Sequence, residues 1–243
     1  MASRNQGITS FALAPGRVIG GKYIVEGLLG AGWEGEVYRV VDRRTEAARA
    51  AKLFFPQRNQ NDRAVRFYSR KLEALRACPI VISYIHTETL RFRGETISVL
   101  ISDLIDGEVL EDFIARRRGK RLPEYEALRI FYDLATGLEQ IHAEREYHGD
   151  LHAGNVLVHR RGVHFDVHLV DLFDLGRPSR SHAQRDVTLL IRLLYDMLGG
   201  QKHYAQQRPA IKHIICGLKQ SLMLRKFPTA GHLRRHLDHF DWS

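Results

Sequence analysis

Over the first hundred residues, apolar positions come in short β-prone runs, at 22–29, 36–42, 48–55 and 96–104, punctuated by glycines and turn residues. One helical pattern interrupts them at about 62–77. Val65, Leu72 and Leu75 fall along one face, most of the bases (Arg63, Arg66, Arg70, Lys71) lie elsewhere, and Pro79 ends the run. Beyond Gly107 the period changes to three and four. In a short segment Glu108, Glu111 and Asp112 precede Arg116, Arg117 and Arg118, an order that complements a helix dipole. A longer helix is predicted at 123–143, with Ala127, Ile130, Phe131, Leu134, Leu138 and Ile141 on its core face and Pro123 in its first turn. Two strands follow at 155–159 and 163–170. An apolar helix at 186–198 is closed by Gly199 and Gly200, and the tail from 211 reads as two more helices.

This order, β-rich and then helical, predicts an α+β chain of two lobes with a cleft between them and a linker near 103–107. The expected divisions are an N-terminal extension at 1–17, an N-lobe at 18–105 and a C-lobe at 106–243. At 243 residues and 44% hydrophobic, the chain can bury a core of that size. No apolar run approaches the ~20 residues of a membrane span. Residues 1–10 hold one Arg and no apolar h-region, so the expected location is cytoplasmic and no membrane partner is expected. A formal charge of +9 favours anionic partners. Cys78 and Cys216 have no Cys-x-x-Cys spacing and read as small hydrophobes.

Four strings carry chemistry. Gly30-Ala31-Gly32-Trp33-Glu34-Gly35-Glu36-Val37 lies between two strands, where a glycine-rich hairpin lets backbone N–H groups approach phosphate oxygens; a plain hairpin turn also fits. Lys52 sits inside the apolar strand Ala50-Ala51-Lys52-Leu53-Phe54, where an ammonium needs an anion or an outlet to solvent. In His148-Gly149-Asp150-Leu151-His152-Ala153-Gly154-Asn155, Asp150 suits a carboxylate that orients a hydroxyl, and Asn155 a carbonyl oxygen that binds a hard cation. The strand Val167-His168-Leu169-Val170 delivers Asp171, with Asp174 just behind it.

Taken in order, these strings resemble the protein kinase superfamily over residues 18–240. Leu100-Ile101-Ser102-Asp103-Leu104-Ile105-Asp106-Gly107 looks like the hinge between lobes. The resemblance implies a bilobal kinase-like fold that uses ATP and Mg²⁺ to phosphorylate a hydroxyl. It implies that Gly30, Ala31, Gly32 and Gly35 cover the phosphates, that Lys52 contacts the α- and β-phosphates, and that Glu73 on the first helix partners Lys52. Leu29, Val37, Ala50 and Leu157 would sandwich adenine, Ser102 would back that pocket, and Asp103, Leu104 and Ile105 would offer it backbone hydrogen bonds. Asp150 and His152 would act in the catalytic loop. Asn155 with either Asp171 or Asp174 would hold Mg²⁺.

The chain also departs from the family. Gly149 replaces the catalytic-loop Arg, so a switch through activation-loop phosphorylation is not expected. His152 replaces a Lys, as in kinase-like enzymes that phosphorylate small molecules. Only 177–185 separate Gly176 from Asp186, no Ala-Pro-Glu follows, and Arg225, which resembles the family's late Arg, lacks the usual Glu partner. Ser/Thr of a protein is the first expected substrate, with a small hydroxyl compound or a nucleotide-binding pseudokinase scaffold as alternatives. Among the thirteen histidines, His148 with His152 and the alternation His164, Asp166, His168 admit a zinc site. A half-buried strand with its polar face to solvent explains the latter, so a zinc site is not the expectation. The basic run from Arg116 to Arg121 reads as a solvated helix end, so a nucleic-acid partner is not expected.

Overall fold

The computed structural model describes residues 7–240. The first six residues of the expected N-terminal extension and the last three of the tail lie outside them. The chain forms two compact units, one taking it up to Arg76 together with Ile82–Ile105, the other taking Ala77–Val81 and everything from Asp106 onward.

In the first unit, strands β1 (Val18–Ile19), β2 (Tyr23–Ala31), β3 (Gly35–Asp42) and β4 (Ala48–Phe54) precede helix α1 (Arg63–Ala74); β5 (Tyr84–Phe92) and β6 (Glu95–Asp103) follow it. They pair antiparallel in the order β1-β2-β3-β4-β6-β5. Alternation decides the faces: Tyr38 and Val40 of β3 and Ala51 and Leu53 of β4 point to one core, where each is no more than 1% exposed. The predicted strands were those with strong apolar alternation. β5 was not predicted because only Leu90 of its residues is buried, so its sequence carries a weak period. α1 packs on β5 and β6 through a face that includes Val65, Tyr68 and Leu72.

The expected extension at 1–17 is not separate where it is described. Ile8 and Phe11 belong to the first unit's core, with Phe11 stacked on Phe55 at 5.3 Å between ring centroids. Glu36, 4% exposed, holds this arm by accepting from Ser10 Oγ (2.7 Å), Phe11 N (3.2 Å) and the Tyr38 hydroxyl. Burial first, and the Glu36 contact second, push the Tyr38 hydroxyl up to about 12.

The second unit begins with β7 (Glu108–Val109) and α2 (Leu110–Ala115) and continues through α3 (Glu124–Ala143), β8 (Val156–Arg161), β9 (His164–Leu169) and α4 (Arg180–Met197). It ends in α5 (Gln201–Tyr204), α6 (Pro209–Ile215), α7 (Gln220–Lys226) and α8 (Ala230–Asp238), so the tail from about 211 holds three helices where two were expected. β7-β8-β9 form a small antiparallel sheet. The six apolar positions predicted for α3 are fully buried, and the five large ones, all but Ala127, each contribute ~1.5–3 kcal/mol of gross hydrophobic stabilisation. α3 packs on α4 and α8. α4 starts six residues before the predicted 186 because Ser179 caps it, accepting from His182 N at 3.3 Å. Among the described residues no helix is long and apolar enough to cross a membrane.

Candidate active site

In the first unit, the glycine-rich turn between β2 and β3 is closed by Gly32 N–H donating to Gly35 O at 2.9 Å. Its glycines have different reasons. A Cβ at Gly35 would lie 1.8 Å from the Leu53 carbonyl oxygen, so the sheet itself requires glycine there. A Cβ at Gly30 or Gly32 would meet nothing within 4 Å, which leaves that backbone open to close approach. Register sets Val37 beside Lys52 and Lys52 beside Leu100, and in the next row Arg39 beside Ala50 and Ala50 beside Ser102. Residues two apart share a face, so Val37, Ala50, Lys52 and Ser102 line one side of the sheet. Leu29 and Ala31 are exposed at the end of β2. At the far end Asp103 N–H already donates to Ser83 O (3.0 Å), while Leu104 and Ile105 are half-buried.

The expected pairing of Lys52 with Glu73 is corrected. Glu73 faces solvent, its side chain 57% exposed, and pairs with Arg76 at 3.4 Å. Lys52 Nζ instead lies 3.0 Å from Glu34 Oε2, in the glycine-rich turn, and 4.1 Å from the centroid of Tyr68 on α1. The helix that was to supply a carboxylate supplies a phenol.

In the second unit, α3 ends and the catalytic-loop string turns towards β8. The loop is shaped by Asp186 of α4, which is fully buried and accepts from His148 N (2.7 Å), Gly149 N (2.8 Å) and His142 Nε2 (3.1 Å). His148, also fully buried, accepts from Asp150 N through Nδ1 and donates through Nε2 to Val170 O at 3.0 Å. Asn155 Nδ2 donates to Asp150 O (2.9 Å), turning its Oδ1 the other way, and Asn155 O accepts from Val170 N (3.1 Å). These bonds bring Asp150, Asn155 and the strand end before Asp171 into one neighbourhood. Asp150 remains reachable, its side chain 47% exposed. His152 Nδ1 accepts from Gly154 N, which leaves the proton of the neutral ring on Nε2, 3.6 Å from Asp150 Oδ2.

Behind the strand, Tyr147 holds the short segment from both sides, its hydroxyl accepting from Leu175 N and donating to Gly176 O, each at 2.8 Å. Burial pushes this phenol up from its ordinary value. Arg185 Nε donates to Gly149 O at 3.1 Å, so the position emptied of the catalytic-loop Arg is tied down from α4. Only Arg177 to Ser179 separate Gly176 from that helix.

Oxygen donors at Asn155 and at Asp171 or Asp174 suit a hard cation that keeps most of its shell for water and phosphate. Among the described residues no three His, Cys, Asp or Glu side chains cluster as a metal site. His168, on the expected polar face of β9, is more covered than that reading required, and burial holds its imidazole below the ordinary range. Leu157 is half-buried on β8. In the basic run, Arg116 pairs with Glu108, and Arg117 pairs with Glu126 at 3.1 Å. Both cysteines are buried, and burial pushes their thiols up. Sequence reasoning missed Glu34, Tyr68, Tyr147 and the bonding role of Asp186; an acid at the head of an apolar helix was the one available signal for the last.

Residues 23–212 match the protein kinase domain family. The serine/threonine-protein kinase PkaA of Streptomyces coelicolor is 30% identical over 178 residues, covering 68% of this chain and 32% of that protein. Sporulation-specific protein 1 of Saccharomyces cerevisiae is 27% identical over 165 residues, covering 68% and 32%. The chain thus spans about a third of the length of these relatives. Among solved structures, a double mutant of the Mycobacterium tuberculosis PknI kinase domain superposes with a TM-score of 0.69 at 21% identity, covering 93% of this chain and 97% of that one. The fold is therefore kinase-like: a β-rich first unit and a helical second one.

Proposed function

Because this chain belongs to the protein kinase family, we propose that it is a cytoplasmic phosphotransferase that moves the γ-phosphoryl group of ATP, with Mg²⁺, to a Ser or Thr hydroxyl of a protein. The observation that carries the reading is the bonded set Asp150, Asn155 and Val170-Asp171, with a reachable carboxylate at its mouth. The serine/threonine kinases among its relatives support the substrate class.

Asp150 accepts or orients the proton of the attacking hydroxyl. His152 Nε2–H, facing Asp150, steers that carboxylate and can donate towards the transferring group. Asn155 and Asp171 offer oxygens to Mg²⁺, which when bound neutralises charge on the phosphates. Lys52 supplies an ammonium to the α- and β-phosphates, and the backbone at Gly30 and Gly32 covers them. Val37, Ala50, Ser102 and Leu157 supply the adenine contacts, with Leu104 and Ile105 as the backbone partners.

Labelled ATP tests this directly, with purified chain and a lysate separated into protein and small-molecule fractions. Asp150→Ala is expected to lower transfer by about 10²–10⁴-fold while leaving ATP affinity within a few-fold. Undiminished turnover in that variant would overturn the assignment. The three-residue connection from Gly176 to α4 favours a second reading, a small hydroxyl substrate. Label confined to the small-molecule fraction would establish it, and ATP binding without transfer would identify a scaffold.

A further inference from the structure

Three elements of the first unit meet at one carboxylate. Glu34, from the turn between β2 and β3, has Lys52 Nζ of β4 at 3.0 Å from Oε2 and the Tyr68 hydroxyl of α1 donating to the same oxygen at 2.6 Å. The site is largely shielded: the Lys52 side chain is 13% exposed and that of Glu34 25%, and Tyr68 is buried. Glu34 is also held through its backbone, its carbonyl accepting from Phe55 N at 2.9 Å. The next residue, Gly35, is pressed against Leu53 O, so the base of the turn has little room to shift. α1 carries a single carboxylate, Glu73, and it points elsewhere.

We propose that Glu34 is the positioning residue for Lys52 and that Tyr68 orients Glu34; the proposal rests on the phosphotransfer reading above. An ammonium on a four-carbon stem samples many rotamers, and a shielded carboxylate at hydrogen-bond distance selects one of them. The phenol fixes that carboxylate in turn. The ammonium is therefore aimed by the glycine-rich turn itself, so the turn and the lysine engage the phosphates as one body. The helix contributes a neutral donor and an aromatic face, over which the cation sits at 4.1 Å.

The test uses the full chain in three variants. Glu34→Gln keeps the shape and removes the charge; it is expected to hold the melting temperature while lowering kcat at saturating ATP by about tenfold or more, with the KM of the phosphate acceptor unchanged. Tyr68→Glu placed in the Glu34→Gln background returns a carboxylate from the helix side and is expected to restore a large part of kcat. A merely structural role would give no such rescue. A second readout needs no turnover: acetylation of Lys52 in ATP-free protein by an N-hydroxysuccinimide ester, followed by peptide mass spectrometry. Its rate is expected to rise several-fold in Glu34→Gln and to fall again in the double variant. Unchanged labelling overturns the proposal. So does a Glu34→Gln chain with tighter ATP binding and undiminished kcat, which would make the carboxylate a competitor of the phosphates. If the unmodified chain transfers no phosphate at all, the functional reading fails while the labelling still decides the role of Glu34.

Discussion

Asp171 has φ +55°, a left-handed backbone that costs a residue with a Cβ about 1–2 kcal/mol. It directly follows Val170, whose two backbone groups are bonded to His148 and Asn155, so the loop over-determines the strain. Asp174 spends Oδ1 on Gly176 N at 2.9 Å, closing its own turn. These two uses separate the candidates for the cation. Asp171→Asn is expected to weaken Mg²⁺-dependent ATP binding by about tenfold or more, and Asp174→Asn by no more than about threefold, measured by calorimetry across a Mg²⁺ series. The reverse ranking would assign the metal to Asp174. Lys52 could be singled out from sequence because it is a charge inside an apolar strand, and Asp150 and Asn155 because they stand five residues apart in a glycine-containing loop between a helix and a strand. Glu34 and Tyr68 could not: an acid in a turn and a Tyr on a helix acquire meaning only once β4 and α1 bring them together, and spacing along the chain does not encode that meeting.

At the scale of elements, periodicity located α3 because its buried face is continuous, and it missed the first six residues of α4 because Arg180 to Arg185 are polar apart from Ala183 and only the Ser179 cap marks the start. α8 shows how an element can be placed yet conditional. Its His236 packs on Phe227 and stacks with His213 at 5.5 Å, near Lys226. Burial first, then the neighbouring His213 and Lys226, hold its imidazole below the ordinary value. The folded state therefore disfavours the charged ring: the stability contribution is whole above the ordinary histidine range near 6.5 and is lost as pH falls through and below it. Thermal melts between about pH 7.5 and pH 5 are expected to show a declining midpoint, and His236→Leu is expected to reduce that decline. An equal decline in the variant would place the acid sensitivity at other groups, of which His168, shifted the same way by burial, is the first to examine.

Across the whole molecule, composition and the change of period gave the division near 105, and the second boundary was hidden. Residues 77–81 leave the first unit because Leu169 N donates to Ile80 O and Ile80 crowds Gly137, contacts made by backbone and packing that no local pattern announces. The arm at 7–14 was misjudged for a similar reason. Its three large apolar residues, Ile8, Phe11 and Leu13, are too few for a period, yet Ile8 and Phe11 complete the first unit's core and Leu13 packs against it. Phe11→Ala is expected to cost about 3–5 kcal/mol, lowering the melting of the first unit while hydrogen exchange in α3 and α4 stays unchanged. A cost below about 1 kcal/mol would show the arm to be an accessory to that core.

The buried carboxylate of Asp186 reaches back across some forty residues to receive two loop N–H groups and a histidine on α3. Without that carboxylate those two amides lose their acceptor within the chain, and the stretch from His148 to Asn155 loses a restraint that selects one shape among the many open to a glycine-containing loop. The candidate residues of this loop, Asp150, His152 and Asn155, lie close together in the chain, but their arrangement depends on a carboxylate delivered by a distant helix. A peptide bearing the same string would have every group and none of the geometry.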